Sequence, residues 1–116
     1  KAPIILTGAG NELDRATKAE LTKLEVKTVY VTSGTAVIKQ SVIDEIKAMG
    51  PTVISLGGKD KYETSVNIAK KMERVTKVAI ANSIPDALSI ASIAAANNQP
   101  ILLTDKDTVP SVVSSY

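Results

Sequence analysis

Short apolar runs rich in β-branched residues recur along the chain, and between most of them lie longer segments in which apolar residues return every three or four positions. The runs are Pro3-Ile4-Ile5-Leu6-Thr7, Thr28-Val29-Tyr30-Val31-Thr32, Thr52-Val53-Ile54-Ser55-Leu56, Lys77-Val78-Ala79-Ile80-Ala81 and Pro100-Ile101-Leu102-Leu103-Thr104. They predict strands. Because they are nearly continuous in hydrophobicity rather than alternating, both faces of each should be covered, as in a parallel sheet.

The intervening segments predict four helices. From Asn11 to Leu24, the residues Leu13, Ala16, Leu21 and Leu24 make one apolar stripe among charges, with Asn11 in position to cap the first turn. Ile38, Val42, Ile46 and Met49 repeat at helical spacing until Gly50-Pro51 stops the run. From Asp60 to Arg74, the residues Tyr62, Val66, Ala69 and Met72 hold the same period, with Asp60 and Glu63 spaced as a capping pair. The fourth helix spans about Pro85 to Asn97. The resulting β-α-β-α-β-α-β-α-β order predicts an α/β protein, a three-layer α/β/α sandwich with a mostly parallel sheet, Rossmann-like or flavodoxin-like. Residues 1–116 read as a single domain, without a linker or low-complexity segment.

The fourth helix is built largely of Ala87, Ala91, Ala94 and Ala95 with Ser89 and Ser92. Side chains this small allow another backbone to approach closely. Two arrangements fit: tight packing inside one domain, or a surface against a neighbouring copy.

Composition narrows the chemistry. The chain has no Cys, His, Trp or Phe. That removes thiol redox chemistry, Cys/His metal sites and every triad requiring an imidazole base. Carboxylate pairs such as Asp44 with Glu45, or Asp105 with Asp107, lie on helix or turn positions with nothing to assign them separate roles. The sequence therefore predicts no enzyme, no metal and no cofactor. A formal charge of +2 does not by itself imply nucleic acid, and no apolar run is long enough to insert in a membrane. The start KAPIILTG lacks an initiator Met and the charged n-region of a signal peptide, so the chain reads as a mature fragment or an excised piece of a longer protein.

Leu56-Gly57-Gly58-Lys59-Asp60 places a glycine turn between a strand and a helix, where α/β folds can hold phosphate. It matches neither dinucleotide nor P-loop spacing, so a nucleotide or sugar-phosphate site stands beside a plain turn. Lys59, Lys61, Lys70, Lys71, Arg74 and Lys77 outnumber Asp60, Glu63 and Glu73, giving either a solvated surface or a contact for a polyanion. Tyr62 is either a core plug or an edge residue. Asp86 suits the positive end of the fourth helix's dipole.

The chain also echoes itself. APIILTGAGNEL and QPILLTDKDTVP align Pro3 with Pro100 and Thr7 with Thr104, and each copy leads through a polar turn toward a helix start. Such an internal echo suggests a cut made out of phase with a tandem repeat.

SLGGKDKYETSVNIAKKM followed by VAIANSIPDALSIASIAAANNQPILLTD resembles the cell wall-binding repeat 2 family of Gram-positive, notably clostridial, surface and S-layer-associated proteins. The shared features are a Gly-Gly turn, a basic-Tyr-Glu-Thr helix start, Ala-Asn before a Pro-Asp-Ala-Leu-Ser helix, and a Pro-Ile-Leu-Leu strand. Lys61 stands where the family often has Arg, Ser83 where Gly commonly follows Ala-Asn, and Thr32-Ser33-Gly34 where a Gly-Gly is usual. The resemblance implies a non-catalytic, extracellular anchor that binds an anionic cell-wall glycopolymer. It also implies packing with sister repeats or as a homo-oligomer, a trimer being favoured and a strand-swapped dimer the competitor. Together with the concentration of basic residues, it makes Lys61, Tyr62, Glu63, Thr64, Lys70, Lys71, Arg74, Asn82, Asp86, Ser89, Pro100, Ile101, Leu102 and Leu103 the candidates for polymer or inter-repeat contact. A small-ligand domain or a purely structural assembly module are the alternatives.

Overall fold

A computed structural model describes residues 2–116. The elements run α1 (Arg15–Lys23), β1 (Thr28–Val31), α2 (Gln40–Ala48), β2 (Thr52–Ser55), α3 (Lys61–Lys71), β3 (Ala79–Ala81), α4 (Ile84–Ala96), β4 (Ile101–Leu103) and α5 (Ser111–Ser114). The protein is mixed α/β, and its strands pair in parallel as expected, in two two-stranded sheets, β1 with β2 and β3 with β4. Its contacts cluster into two compact units, Lys1–Leu56 and Gly57–Tyr116.

In the first unit, Val29 and Val53 pack on a core of Leu13, Leu21, Val42 and Ile46. The α2 stripe works as its spacing predicts, with Val42, Ile43 and Ile46 buried. Gly50 adopts φ 112° just beyond that helix, a conformation that favours glycine, and Pro51 follows.

Two expectations for this unit are corrected. Helix α1 begins at Arg15, with Asp14 rather than Asn11 at the cap position. The backbone before it is already held by α2, since Ser41 donates to the Asn11 carbonyl at 2.6 Å and Leu13 N–H donates to Glu45 at 3.2 Å. The Asp14 carboxylate accepts from Gly8 N–H and from the Thr17 hydroxyl instead of a helix amide. Residues 3–7 do not form a strand, because among the described residues no strand lies beside them to complete a ladder. Ile5 packs on the core, whereas Ile4 and Leu6 are 91% and 85% exposed.

In the second unit, Val66 and Ala69 of α3 meet Leu102 of β4 and Val113 of α5, with Tyr62 and Val112 packed beside them. The Ser65 hydroxyl joins helix to strand by donating to the Tyr62 carbonyl and accepting from Leu103 N–H, at 2.7 and 3.1 Å. Helix α4 packs on β3 and β4. Its small residues divide between two faces: Ala94 is buried and Ala87 and Ala91 are half-buried, whereas Ser89, Ser92 and Ala95 are exposed. Close approach is thus used within the unit, where buried Ala81 of β3 is equally small. The helix start expected after Thr104 is α5.

Candidate functional site

The residues singled out by sequence gather at the two ends of α3, at the start of α4 and along β4. Each group has a different physical basis.

The N-terminus of α3 is a closed set of hydrogen bonds. Asp60 caps the helix, accepting from Glu63 N–H at 2.8 Å. Glu63 reaches back one residue further than a simple capping box, accepting from Lys59 N–H at 2.9 Å. The Thr64 hydroxyl accepts from Gly58 N–H at 2.8 Å. Glu63 folds so closely over the turn that a Cβ on Gly58 would lie 2.6 Å from its Cβ and Cγ, which explains why the turn needs glycine there. Glu63 and Thr64 therefore act on this chain's own backbone. Tyr62 is half-buried against the core, with Lys61 Nζ 5.1 Å from its ring centroid, a distance at which a cation is held by the ring face.

This geometry bears on phosphate binding at Gly57-Gly58. The Gly58, Lys59 and Glu63 amides, which an anion would use, already have partners, and the Asp60 and Glu63 carboxylates would repel it.

The other end of α3 is cationic and open. Lys70 and Lys71 lie in its last turn, where positive charge complements the helix dipole, and both are exposed. Arg74 and Lys77 follow, also exposed. Arg74 has φ 57°, a left-handed conformation rarely adopted by a long side chain. The loop is braced by the Asn98 amide, which donates to the Glu73 carbonyl at 2.8 Å and the Arg74 carbonyl at 3.4 Å.

At α4, Asp86 lies in the first turn and accepts from the Ser83 hydroxyl at 2.8 Å, while Ser83 Oγ accepts from Asp86 N–H at 3.3 Å. The Ser-x-x-Asp spacing at Ser83 announces this cap, although sequence reasoning had noted Ser83 only as a departure from a family pattern. Ser89 turns its hydroxyl back to the Pro85 carbonyl, and Asn82 is exposed beside β3. Pro100 and Leu102 are buried, and Ile101 and Leu103 half-buried, so this stretch is largely interior to its unit. Ser65, which ties α3 to β4, carried no signal in the sequence.

In the first unit, a groove of about 370 Å³ lies among Leu21, Val26, Met49 and Pro51, with Lys18 and Glu25 also lining it. None of the residues named for polymer or inter-repeat contact borders it. Among the described residues, no group of three or more acidic side chains is arranged to hold a metal ion.

The second unit, two parallel strands with a Gly-Gly turn leading into the capped Tyr-Glu-Thr helix, is matched as a cell wall binding domain. The chain belongs to the cell wall binding domain 2 (CWB2) family, whose model matches residues 55–116, which include the whole second unit. The chain is 30% identical over 116 residues to the N-acetylmuramoyl-L-alanine amidase LytC of Bacillus subtilis, and 34% identical over 111 residues to the amidase enhancer of the same organism. These alignments cover 98% and 94% of the chain but 23% and 16% of the two relatives. Among solved structures, Cwp6 from Clostridium difficile matches with a TM-score of 0.81 at 35% identity, over 92% of this chain and 18% of that one. The chain thus spans less than a quarter of each of these relatives. No helix among the described residues is long and apolar enough to cross a membrane.

Proposed function

We propose that this chain is a non-catalytic module that holds a surface protein to the cell wall by binding an anionic secondary wall polymer. The observation that carries the reading, beyond family membership, is the open cationic group of Lys70, Lys71, Arg74 and Lys77 at the end of α3. A polyanion is retained by many exposed, individually weak charge contacts, and this group supplies them without a closed pocket. Lys61, held at the Tyr62 ring, adds one further cation at the other end of the helix.

On this reading the catalytic work of relatives such as LytC resides outside the shared segment. The module acts beside sister repeats in a threefold assembly, and the three-layer, Rossmann-like sandwich is reached when neighbouring copies contribute to one sheet. A trimer is favoured over a strand-swapped dimer.

Purified wall sacculi, before and after extraction of their secondary polymer, provide the test. Retention on intact sacculi and its loss on extracted ones supports the proposal. Equal retention on both would remove the polymer as the target, and no retention on either would leave an assembly module.

A further inference from the structure

Pro3–Thr7 and Pro100–Thr104 carry the same order of residue types: Pro, Ile, a second aliphatic, Leu and Thr. In the second unit this sequence is β4 and its flanks, and β3 runs alongside it. Ala79 N–H donates to the Pro100 carbonyl at 2.9 Å, and Thr104 N–H donates to the Ala81 carbonyl at 3.0 Å. Ala79 lies opposite Ile101 and Ala81 opposite Leu103. Leu102 turns toward α3 and α5 and is 4% exposed. Strand alternation sends Ile101 and Leu103 to the other face, on the side of α4, where both are half-buried.

Residues 3–7 reproduce half of that environment. Ile5 packs on the first unit's core as Leu102 packs on the second's. Ile4 and Leu6, the counterparts of Ile101 and Leu103, stand 91% and 85% exposed with no strand beside them among the described residues.

We propose that residues 3–7 are a β4-type strand that receives a β3–α4 segment from a second copy of this repeat in the same polypeptide. The incoming strand pairs as Ala79 does with Ile101, now opposite Ile4, with its Ile80 opposite Ile5 and its Ala81 opposite Leu6. The accompanying α4 covers Ile4 and Leu6. The inference rests on the reading that sister repeats exist.

Area decides between a linked and a free copy. Two aliphatic side chains bury on the order of 200 Å², far below the roughly 800 Å² per partner of a stable free association. A diffusing copy would also have to withdraw its β3–α4 from its own β4, losing equivalent contacts. A covalently linked copy avoids both difficulties through its high effective concentration, and relatives at least four times as long as the aligned segment have chain in which to carry one.

The test places residues 77–98 of this sequence ahead of Ala2, so that Ala2 occupies the place of Gln99 before Pro3. The expected result is that the Thr7 amide, counterpart of Thr104, exchanges at least about 100-fold more slowly than in the unextended chain, and that Tm rises by about 4 °C or more. Leu6→Asp should abolish both gains in the extended protein while leaving the unextended chain's Tm unchanged. A synthetic peptide of residues 77–98, added at millimolar concentration to the unextended chain, gives a second reading of Thr7 exchange that does not require the extended protein to fold. Unchanged Thr7 exchange in both formats, or an equal effect of Leu6→Asp with and without the extension, overturns the proposal. Dimerisation of the unextended chain that Leu6→Asp abolishes would overturn the linked copy in favour of a free one. None of these readouts involves wall material, so wall binding and strand reception can fail separately.

Discussion

Glu63 lies over Gly58 so closely that the two positions are sterically coupled: a single added methyl on Gly58 would meet the Glu63 side chain at 2.6 Å. Glu63 is held there by the Lys59 amide. Gly58→Ala should destabilise the second unit by about 1–3 kcal/mol, the usual range for overpacking. Adding Glu63→Ala removes Cγ and the carboxylate but leaves Cβ, so the double variant should recover only part of the loss. Urea denaturation of the two single variants and the double measures the coupling.

The proposed polymer contact makes an electrostatic prediction. Reversing Lys70, Lys71 and Arg74 to Glu should weaken sacculus retention at least about fivefold, since each exposed charge contact contributes up to about 1 kcal/mol. Retention by the unaltered chain should also fall in 1 M salt, where screening acts over roughly 3 Å. A salt-independent interaction would point to hydrogen bonding or apolar contact instead.

Helices α1 and α4 are each followed by a non-glycine residue in the left-handed region, Glu25 at φ 50° and Asn98 at φ 53°. Glu25→Gly relieves that strain and should stabilise the protein by about 0.5–1 kcal/mol in thermal unfolding. At Asn98 glycine is the informative control: Asn98→Gly keeps the turn but loses the bonds to Glu73 and Arg74, whereas Asn98→Ala loses both. The order of stability should be Asn, then Gly, then Ala.

Thr7 Oγ1 is buried without a hydrogen-bond partner among the described residues. Thr7→Val replaces the hydroxyl with a methyl of similar size and should raise stability by about 1 kcal/mol, the low end of the cost of a buried unpaired polar group. A loss of similar size would show that the hydroxyl is satisfied in solution.

On α4 the two alanines that looked equivalent in the sequence should behave differently. Ala91→Arg forces a charge into the packing of the helix on its sheet and should unfold the second unit, read as loss of the helical circular dichroism signal. Ala95→Arg should leave that signal intact. If Ala95 faces a sister copy, the variant should also dissociate the assembly in sedimentation.

The second unit was the more legible from its residues, because the signals that shape it act over a few positions. Asp60 with Glu63 caps α3 by contacts within one turn, and Gly58 in the turn before it is required by the same local geometry. The mixed α/β class and the parallel pairing of the four strands that form were likewise readable from the apolar runs. Which side chains of the Tyr-Glu-Thr helix start are free to meet a ligand was not readable. Glu63 and Thr64 look like binding residues as letters, but they are engaged with backbone amides of the turn.

Long-range partners decided the remainder. PIILT and PILLT have nearly the same intrinsic preference, yet only the second becomes a strand, because β3 lies beside it and supplies hydrogen bonds that no property of the residues themselves can provide. The local sequence therefore determines which segments are able to form strands and helices. The tertiary neighbourhood determines which of them do, since backbone groups and apolar faces are satisfied only by what packs against them.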